Sequence, residues 1–268
     1  MNVKKAHMRL GVQAAAVALT IALTYLLFNN PMGVCWLDPF WHLQDLFARA
    51  GAESIVYLGL ERVDLLNPST TLPTISPYII VAAFTCFAML SGRMFCGWLC
   101  PFGTFLDAVE KVSPFKGAHK APDDLKDVNL KYVVLFGFLI LSFLVGYTSF
   151  CDYCPAGVLF KGLTGHVIFM AVPVFAIVSL LVFFHGRKMW CGYLCPVGGF
   201  LALFARFHLL PIRSAGECIK CLNCEKECPM DVLVAEKYIQ EGKAITDSEC
   251  IKCMKCVDAC PKKILRFP

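Results

Sequence analysis

Long apolar runs separated by polar segments fill the first two thirds of the chain. They cover residues 10–28, 77–90 with an extension back to residue 72, 132–148, and 167–184. The first run holds nineteen consecutive uncharged residues, and a helix of that length can cross a hydrocarbon layer of about 30 Å. The pattern predicts a membrane all-α domain with four transmembrane helices. We expect the first run to be an uncleaved helix rather than a signal peptide, because no small-residue cleavage site follows it.

The basic residues predict how these helices are oriented. They cluster before the first run, between the second and the third, and after the fourth. By the positive-inside rule, both termini then lie in the cytoplasm, and the chain is a multi-pass protein of the bacterial inner membrane. The apolar fraction of 57% and the mean hydropathy of +0.62 agree with a membrane chain. The net charge of +5 follows this topology, so it does not indicate nucleic-acid binding.

The C-terminal segment carries two cysteine runs with the same spacing, C-x2-C-x2-C-x3-C-P. The first run holds Cys218, Cys221, Cys224 and Cys228, and the second holds Cys250, Cys253, Cys256 and Cys260. This spacing is typical of bacterial ferredoxins that bind two 4Fe–4S clusters. Zinc ribbons use two C-x2-C pairs instead, and a disulfide scaffold would not repeat the spacing.

The spacing also predicts which cysteines share a cluster. A tight loop can supply three thiolates but cannot reach the fourth iron, so the fourth ligand comes from the other run. We therefore expect one cluster to be bound by Cys218, Cys221, Cys224 and Cys260, and the other by Cys250, Cys253, Cys256 and Cys228. These thiolates must be reduced, which places them on the cytoplasmic side. The chain thus divides into a helical domain, residues 1–212, and a small α+β ferredoxin domain, residues 213–268.

The helical domain contains an internal repeat. Residues 95–103 read F-C-G-W-L-C-P-F-G, and residues 190–198 read W-C-G-Y-L-C-P-V-G. Each copy follows an apolar run and precedes an amphipathic stretch, so the pattern predicts a parallel two-fold repeat. The repeat would bring together Cys96, Cys100, Cys191 and Cys195. Four thiolates suit a third iron–sulfur cluster or a zinc ion. Alternatively, the motif is a helix-ending turn whose cysteines are small buried packing residues, and the sequence leaves these alternatives open.

Three further cysteines fall in the loops predicted to be external: Cys35, Cys151 and Cys154. In an oxidising compartment two of them could form a disulfide, which would leave one over. Alternatively, they contribute to another metal or redox centre.

A quinone would explain why ferredoxin clusters are joined to apolar helices. Clusters move single electrons, whereas a quinol carries two electrons and needs a proton acceptor when it is oxidised. His42 and Asp45, on an amphipathic stretch at residues 38–49, are candidates for this role. The expected apolar face of that stretch consists of Phe40, Trp41, Leu43, Leu46 and Phe47. His166, at the start of the fourth apolar run, is a second candidate.

Together, the duplicated C-G-aromatic-L-C-P motif and the two C-terminal cysteine runs resemble the NapH family of membrane ferredoxin-type quinol dehydrogenases. That family is related to the membrane part of NosR and polyferredoxin-like proteins. The resemblance covers nearly the whole chain. It implies that the eight C-terminal cysteines bind clusters and that Cys96, Cys100, Cys191 and Cys195 match the C-x3-C-P pairs of the family.

The resemblance also implies a function. A protein of this family would be a quinol dehydrogenase or electron-transfer subunit that takes electrons from the quinol pool of the lipid membrane. It would pass them to a partner redox protein, either ferredoxin-type or a cytochrome subunit, in a multi-subunit complex of a respiratory, nitrate-reductase-like chain. The alternative is a polyferredoxin that serves as an accessory or maturation reductase for another metalloenzyme.

Overall fold

The computed structural model describes residues 3–23, 38–57, 76–114, 130–150, 153–158 and 171–267, which are mostly helical. The α-helices are α1 Val3–Leu23, α2 Pro39–Tyr57, α3 Ser76–Ser91, α4 Met94–Trp98, α5 Pro101–Val112, α6 Leu130–Val145, α7 Ala171–His185, α8 Pro196–Ala205, α9 Asn223–Lys226 and α10 Lys255–Ala259. Two π-helical segments cover Met189–Leu194 and Ala235–Ile239. The two strands are β1 Arg213–Ser214 and β2 Leu265–Arg266.

The prediction of four transmembrane helices is wrong. Helices α3, α6 and α7 contain 16, 16 and 15 residues. At 1.5 Å per residue they are about 22–24 Å long, which is shorter than a hydrocarbon layer of about 30 Å. Helix α1 has 21 residues, but it includes Arg9 and Gln13, which both bond to Asp107. Within the described ranges, no helix has both the length and the apolar character needed to cross a membrane. The assignment to the bacterial inner membrane, with both termini in the cytoplasm, is therefore wrong as well.

The longer helices share one hydrophobic core. Helices α2 and α8 each pack against α3 and α6, and α5 packs against α7. Leu106, Leu135 and Leu201 are at most 1% exposed at the centre of this packing. The rings of Phe102 and Trp190 meet edge to face, with 5.8 Å between their centroids, an arrangement that aromatic pairs favour. Phe102 belongs to the first copy of the repeat and Trp190 to the second, so the core joins the two copies.

The stretch at residues 38–49 is helical, as predicted, and Phe40 of its expected apolar face is buried, but the buried face also includes polar residues. His42, Gln44 and Asp45 are buried on α2, whereas Phe47 is 40% exposed. The buried face of α2 is fixed by the close approach of its backbone to that of α6, because an added Cβ at Gly51 would lie 1.9 Å from the carbonyl oxygen of Phe143. Helix α2 must therefore present this side to α6, and it carries its polar residues into the interface.

The C-terminal part closes on a short antiparallel sheet. Arg213 and Ser214 of β1 pair with Arg266 and Leu265 of β2. The sheet therefore joins the beginning and the end of this segment, and it holds the two cysteine runs side by side. A small core lies beneath it, made of Ile212, Met230, Ile245, Ile251 and Leu265, each at most 3% exposed.

Candidate iron–sulfur sites

The structure groups the eight C-terminal cysteines in two sets of four. One cavity, here called the first cavity, is lined by Cys218, Cys221, Cys224 and Cys260. The second cavity is lined by Cys228, Cys250, Cys253 and Cys256. Each cavity receives three cysteines from one run and the fourth from the other, which is the arrangement that the spacing predicts. Iron–sulfur clusters are held by thiolate sulfur, so each donor set fits a 4Fe–4S cluster.

The loops that carry these cysteines adopt left-handed backbone conformations at matching positions. Lys220 and Leu222 have φ of 55° and 57°, and Lys252 and Met254 have φ of 51° and 62°. Such conformations cost non-glycine residues about 1–3 kcal/mol each, and they persist where the surroundings require them. Here the tight turns direct three thiols of one short loop into a single cavity. The backbone N–H of Lys220 also donates a hydrogen bond to Sγ of Cys218 at 3.4 Å.

Burial raises the pKa of several of these thiols. The pKa of Cys250 rises to about 12, and those of Cys224 and Cys228 rise to about 11. For all three, removal from water is the largest cause, because it disfavours the charged thiolate. Such thiols remain protonated until a cation binds beside them, so loading of either cavity must release protons.

The four cysteines of the repeat, here called the quartet, also lie together. Cys96 is in α4, Cys191 is in the π-helix Met189–Leu194, and Cys100 and Cys195 directly precede α5 and α8. Burial raises the pKa of Cys195 well above its usual value, and the neighbouring thiols of Cys191, Cys96 and Cys100 raise it further. Burial likewise raises the pKa of Cys100 to about 12. The quartet is thus a set of mutually close, largely dehydrated sulfur donors, which fits an iron–sulfur cluster.

The four sulfur donors of the quartet would also suit a zinc ion. Over the ranges that the structure describes, no three His, Cys, Asp or Glu side chains are spaced to hold a single metal ion.

The Cys-Pro pairs hold the second cysteine of each copy in the same way. Cys100 caps the N-terminus of α5, Cys195 caps that of α8, and a proline occupies the first helical position after each. The backbone N–H groups of Gly103 and Gly198 donate to the respective Sγ atoms, both at 3.4 Å. A helix N-terminus favours negative charge, so these N–H groups offset part of the rise that burial causes in the pKa of each thiol.

The two copies differ by one residue in their winding. Cys96 lies four positions after Gly92, whereas Cys191 lies five positions after Gly186. A π-helix accommodates one additional residue in a turn, and the second copy is π-helical where the first is α-helical. The additional residue therefore leaves Cys191 in position beside Cys96.

The first copy lies directly against the cysteine loop of the second cavity. An added Cβ at Gly97 would lie 2.3 Å from the carbonyl oxygen of Ile251, so this approach requires glycine. Nε1–H of Trp98 donates a hydrogen bond to the carbonyl oxygen of Lys252 at 2.8 Å. Both carbonyl oxygens belong to the second cysteine run, so the quartet and the second cavity are adjacent.

The first cavity faces the solvent more directly. Among the twelve cysteines of the three sets, all of which the structure describes, Cys221 is the exposed one. Ile219 beside it is 51% exposed.

Sequence reasoning missed an ionic cluster beside the quartet. Asp107 of α5 pairs with Arg187 at 2.9 Å, and it also contacts Arg9 and accepts a hydrogen bond from Gln13 at 3.1 Å. Burial raises the pKa of Asp107, but Arg187 and Arg9 outweigh this effect and hold the pKa below its usual value. Asp107 could have been identified from the sequence as an acidic residue two helical turns after Cys100, in the helix that follows the motif.

The remaining candidates are not brought to these sites. His42 and Asp45 lie on α2, where the Asp45 carboxylate pairs with Arg49 at 2.8 Å. Cys154 is partly buried, and its backbone carbonyl accepts a hydrogen bond from Gly157. Cys35, Cys151 and His166 lie outside the described residues, so both the disulfide and the additional metal or redox centre remain predictions.

Family models match both parts of the chain. The "4Fe-4S binding domain" matches residues 74–118, 132–169 and 167–213. The "4Fe-4S dicluster domain" matches residues 210–261. The first and third segments of the former model each contain one copy of the repeated motif. The chain is therefore an iron–sulfur protein.

The curated proteins that are similar to this chain include the following three. The uncharacterized protein MJ0750 of Methanocaldococcus jannaschii is 32% identical over 173 residues, which cover 62% of this chain and 70% of the relative. The methylamine utilization ferredoxin-type protein MauN of Methylorubrum extorquens is 29% identical over 71% of this chain and 59% of its own length. The ferredoxin-type protein NapH of Escherichia coli is 25% identical over 53% and 50%. The chain thus spans about half the length of NapH.

No solved structure matches the chain. The two family models and the ferredoxin-type relatives agree on iron–sulfur electron transfer. The chain belongs to the NapH-like family of ferredoxin-type 4Fe–4S proteins.

Proposed function

We propose that the protein binds three 4Fe–4S clusters, one in each set of four cysteines, and transfers electrons from a quinol to a partner redox protein of a respiratory chain. The observation that carries the proposal is the arrangement of twelve cysteines in three groups of four, with the quartet adjacent to the second cavity through Gly97 and Trp98. When bound, each cluster accepts and donates single electrons.

The chain contributes the surroundings of the three sites. Cys96 and Cys191 of the quartet are buried, and the N–H groups of Gly103 and Gly198 donate to the sulfurs of the other two. The backbone of the second cysteine run accepts contacts from the motif in α4, which keeps the quartet and the second cavity at a fixed separation. The exposed position of Cys221 favours the first cavity as the side on which a partner protein docks.

The proposed electron donor is a quinol, which releases two electrons one at a time and two protons. His42 is our candidate for the proton acceptor, because it lies buried on α2 one turn from Asp45. Gln44 on the same helix is fully buried and offers a further polar group to a quinol hydroxyl. His166 is the second candidate. The acceptor would be a ferredoxin-type or cytochrome subunit, in line with the ferredoxin-type names of the relatives.

Anaerobic purification followed by iron and sulfide quantitation tests the number of clusters. We expect about twelve irons per chain, four for each set of cysteines. Replacement of Cys96 by alanine should lower the content to about eight irons, and the signals of the remaining clusters in electron paramagnetic resonance (EPR) spectra should be unchanged. A wild-type protein with about eight irons would contradict the third cluster.

A second experiment tests the donor. A quinol analogue should reduce the clusters in the wild-type protein, and His42→Ala should slow this reduction without changing reduction by dithionite. Reduction by a soluble ferredoxin or flavodoxin but not by the quinol would contradict the quinol proposal. That result would favour an accessory reductase that serves the maturation of another metalloenzyme.

A further inference from the structure

Two buried arginines extend from the ends of helices into the repeated motif. Arg93 follows Gly92, and Arg187 follows Gly186; both glycines have positive φ, 63° and 81°, and end the preceding helices. Both arginine side chains are 0% exposed. Removing a guanidinium group from water costs several kcal/mol, so it remains buried only where it has well-placed partners.

Each arginine reaches the opposite copy of the motif. Nη2 of Arg93 donates a hydrogen bond to the carbonyl oxygen of Cys191, and Nη2 of Arg187 donates one to the carbonyl oxygen of Cys96. The exchange is reciprocal, because Arg93 precedes Cys96 in the chain and Arg187 precedes Cys191. The two arginines therefore tie together the two turns that carry the first cysteine of each copy.

The motif glycines leave room for these crossings. An added Cβ at Gly198 would lie 2.7 Å from Nη2 of Arg93, and one at Gly103 would lie 2.6 Å from Nη2 of Arg187. Both distances are shorter than real Cβ contacts, so each glycine is matched to the arginine of the other copy. The C-x3-C-P-x-G pattern thus includes space for a guanidinium group as well as the cysteines.

Each guanidinium group lies between the quartet and a carboxylate. Nη1 of Arg93 is 2.7 Å from Glu249, and Nη1 of Arg187 is 2.9 Å from Asp107. Lysine could not make these contacts together, because its single ammonium lacks the planar fork that lets one arginine bond in two directions.

We propose that Arg93 and Arg187 are positioning residues of the quartet, which hold its two halves together and supply the positive charge that stabilises the reduced form of its redox centre. The inference rests on the proposed third cluster, because it requires a centre whose negative charge increases on reduction. A positive charge beside such a centre stabilises the reduced form more than the oxidised form, and burial strengthens the effect. Loss of either arginine should therefore make reduction harder.

The test is an EPR-monitored redox titration of the full-length, anaerobically prepared protein. Arg93→Gln and Arg187→Gln remove the charge and retain a hydrogen-bond donor. We expect the quartet signal to shift to a more negative potential by at least a tenfold change in the ratio of reduced to oxidised centre, which is about 59 mV for one electron. The first-cavity signal should not move. Arg213→Gln, at an exposed arginine of β1, is the matched control and should leave all signals unchanged.

The outcomes separate this inference from the proposed function. A wild-type protein with about eight irons would overturn the third cluster itself. A wild-type protein with about twelve irons whose Gln variants keep the native quartet potential would overturn only the role of the arginines. If the Gln variants fail to load the quartet, Arg93→Lys and Arg187→Lys decide the question. If the loaded Lys variants keep the native quartet potential, the proposed role of the positive charge is supported. If their quartet potential is lowered, that role is overturned.

Discussion

The contact between Gly97 and the second cysteine run predicts how much Gly97→Ala destabilises the protein. The new Cβ would lie 2.3 Å from the carbonyl oxygen of Ile251, whereas ordinary contact begins near 3.4 Å. Either α4 or the cysteine loop must therefore move by about 1 Å. A backbone carbonyl cannot rotate away as a side chain can, so the cost should reach the upper part of the usual range for overpacking, about 3 kcal/mol.

Part of this cost is recovered locally. Alanine is favoured over glycine in a helix by about 1 kcal/mol, and Gly97 lies in α4. The net destabilisation should be about 2 kcal/mol, which for a chain of this size lowers Tm by about 4–8 °C. The shift should also weaken the hydrogen bond from Trp98 to Lys252, which belongs to the same contact.

Thermal unfolding followed by circular dichroism under anaerobic conditions measures this effect. Gly137→Ala is the matched control, because Gly137 lies within α6 and an added Cβ there meets nothing within 4 Å. The control should unfold at the wild-type temperature or slightly above it. If Gly97→Ala is as stable as Gly137→Ala, the close approach between the motif and the cysteine loop is refuted.

Three further predictions concern the first cavity, the bond of Trp98 and the ion pair of Asp107. Cys260→Ala should lose about four irons and the same EPR signal as Cys224→Ala, although Cys260 belongs to the second run; loss of a different signal would contradict the exchange of ligands between runs. Trp98→Phe should lower the free energy of unfolding by about 0.5–1.5 kcal/mol, because it removes the bond to Lys252, and unchanged urea unfolding would show that this bond contributes nothing. Asp107→Asn should cost about 3–5 kcal/mol, because it leaves Arg187 buried without its carboxylate; a loss below 1 kcal/mol in urea unfolding would contradict this.

The grouping of the C-terminal cysteines was accessible from the sequence because it depends on local spacing. Three cysteines separated by two residues each can only face one small volume, so Cys218, Cys221 and Cys224 had to line the same cavity. The exchange of the fourth cysteine follows from the limited reach of the loop. The quartet could be predicted from the sequence for a different reason. A repeated motif implies that its two copies have the same local geometry and meet at matching positions.

In the helical part, the pattern of apolar residues did not predict where the helices end or which polar residues they bury. The apolar runs were counted as spans, but α6 ends at the left-handed Gly146, before the end of its run, and α3 and α7 end at the left-handed Gly92 and Gly186. The pattern also gave no indication that polar residues of α2 would be buried, because a close backbone approach at Gly51 decides which face of α2 turns inward.

The arginine contacts were out of reach for a further reason. Arg93 meets Glu249 across 156 positions, and Arg187 meets the carbonyl of Cys96 across 91. No local spacing encodes pairs so distant, and only the arrangement of the two copies in space brings them together.

The exposure of Cys221 has a practical consequence for the proposed protein. Molecular oxygen reaches a solvent-facing ligand before it reaches sulfurs enclosed by side chains, so the cluster of the first cavity should decay first in air. A preparation handled aerobically would then retain the quartet and the second cavity and yield about eight irons per chain. Such a preparation would have the iron content of a ferredoxin with two clusters, although the cluster that it lost is the one nearest the surface.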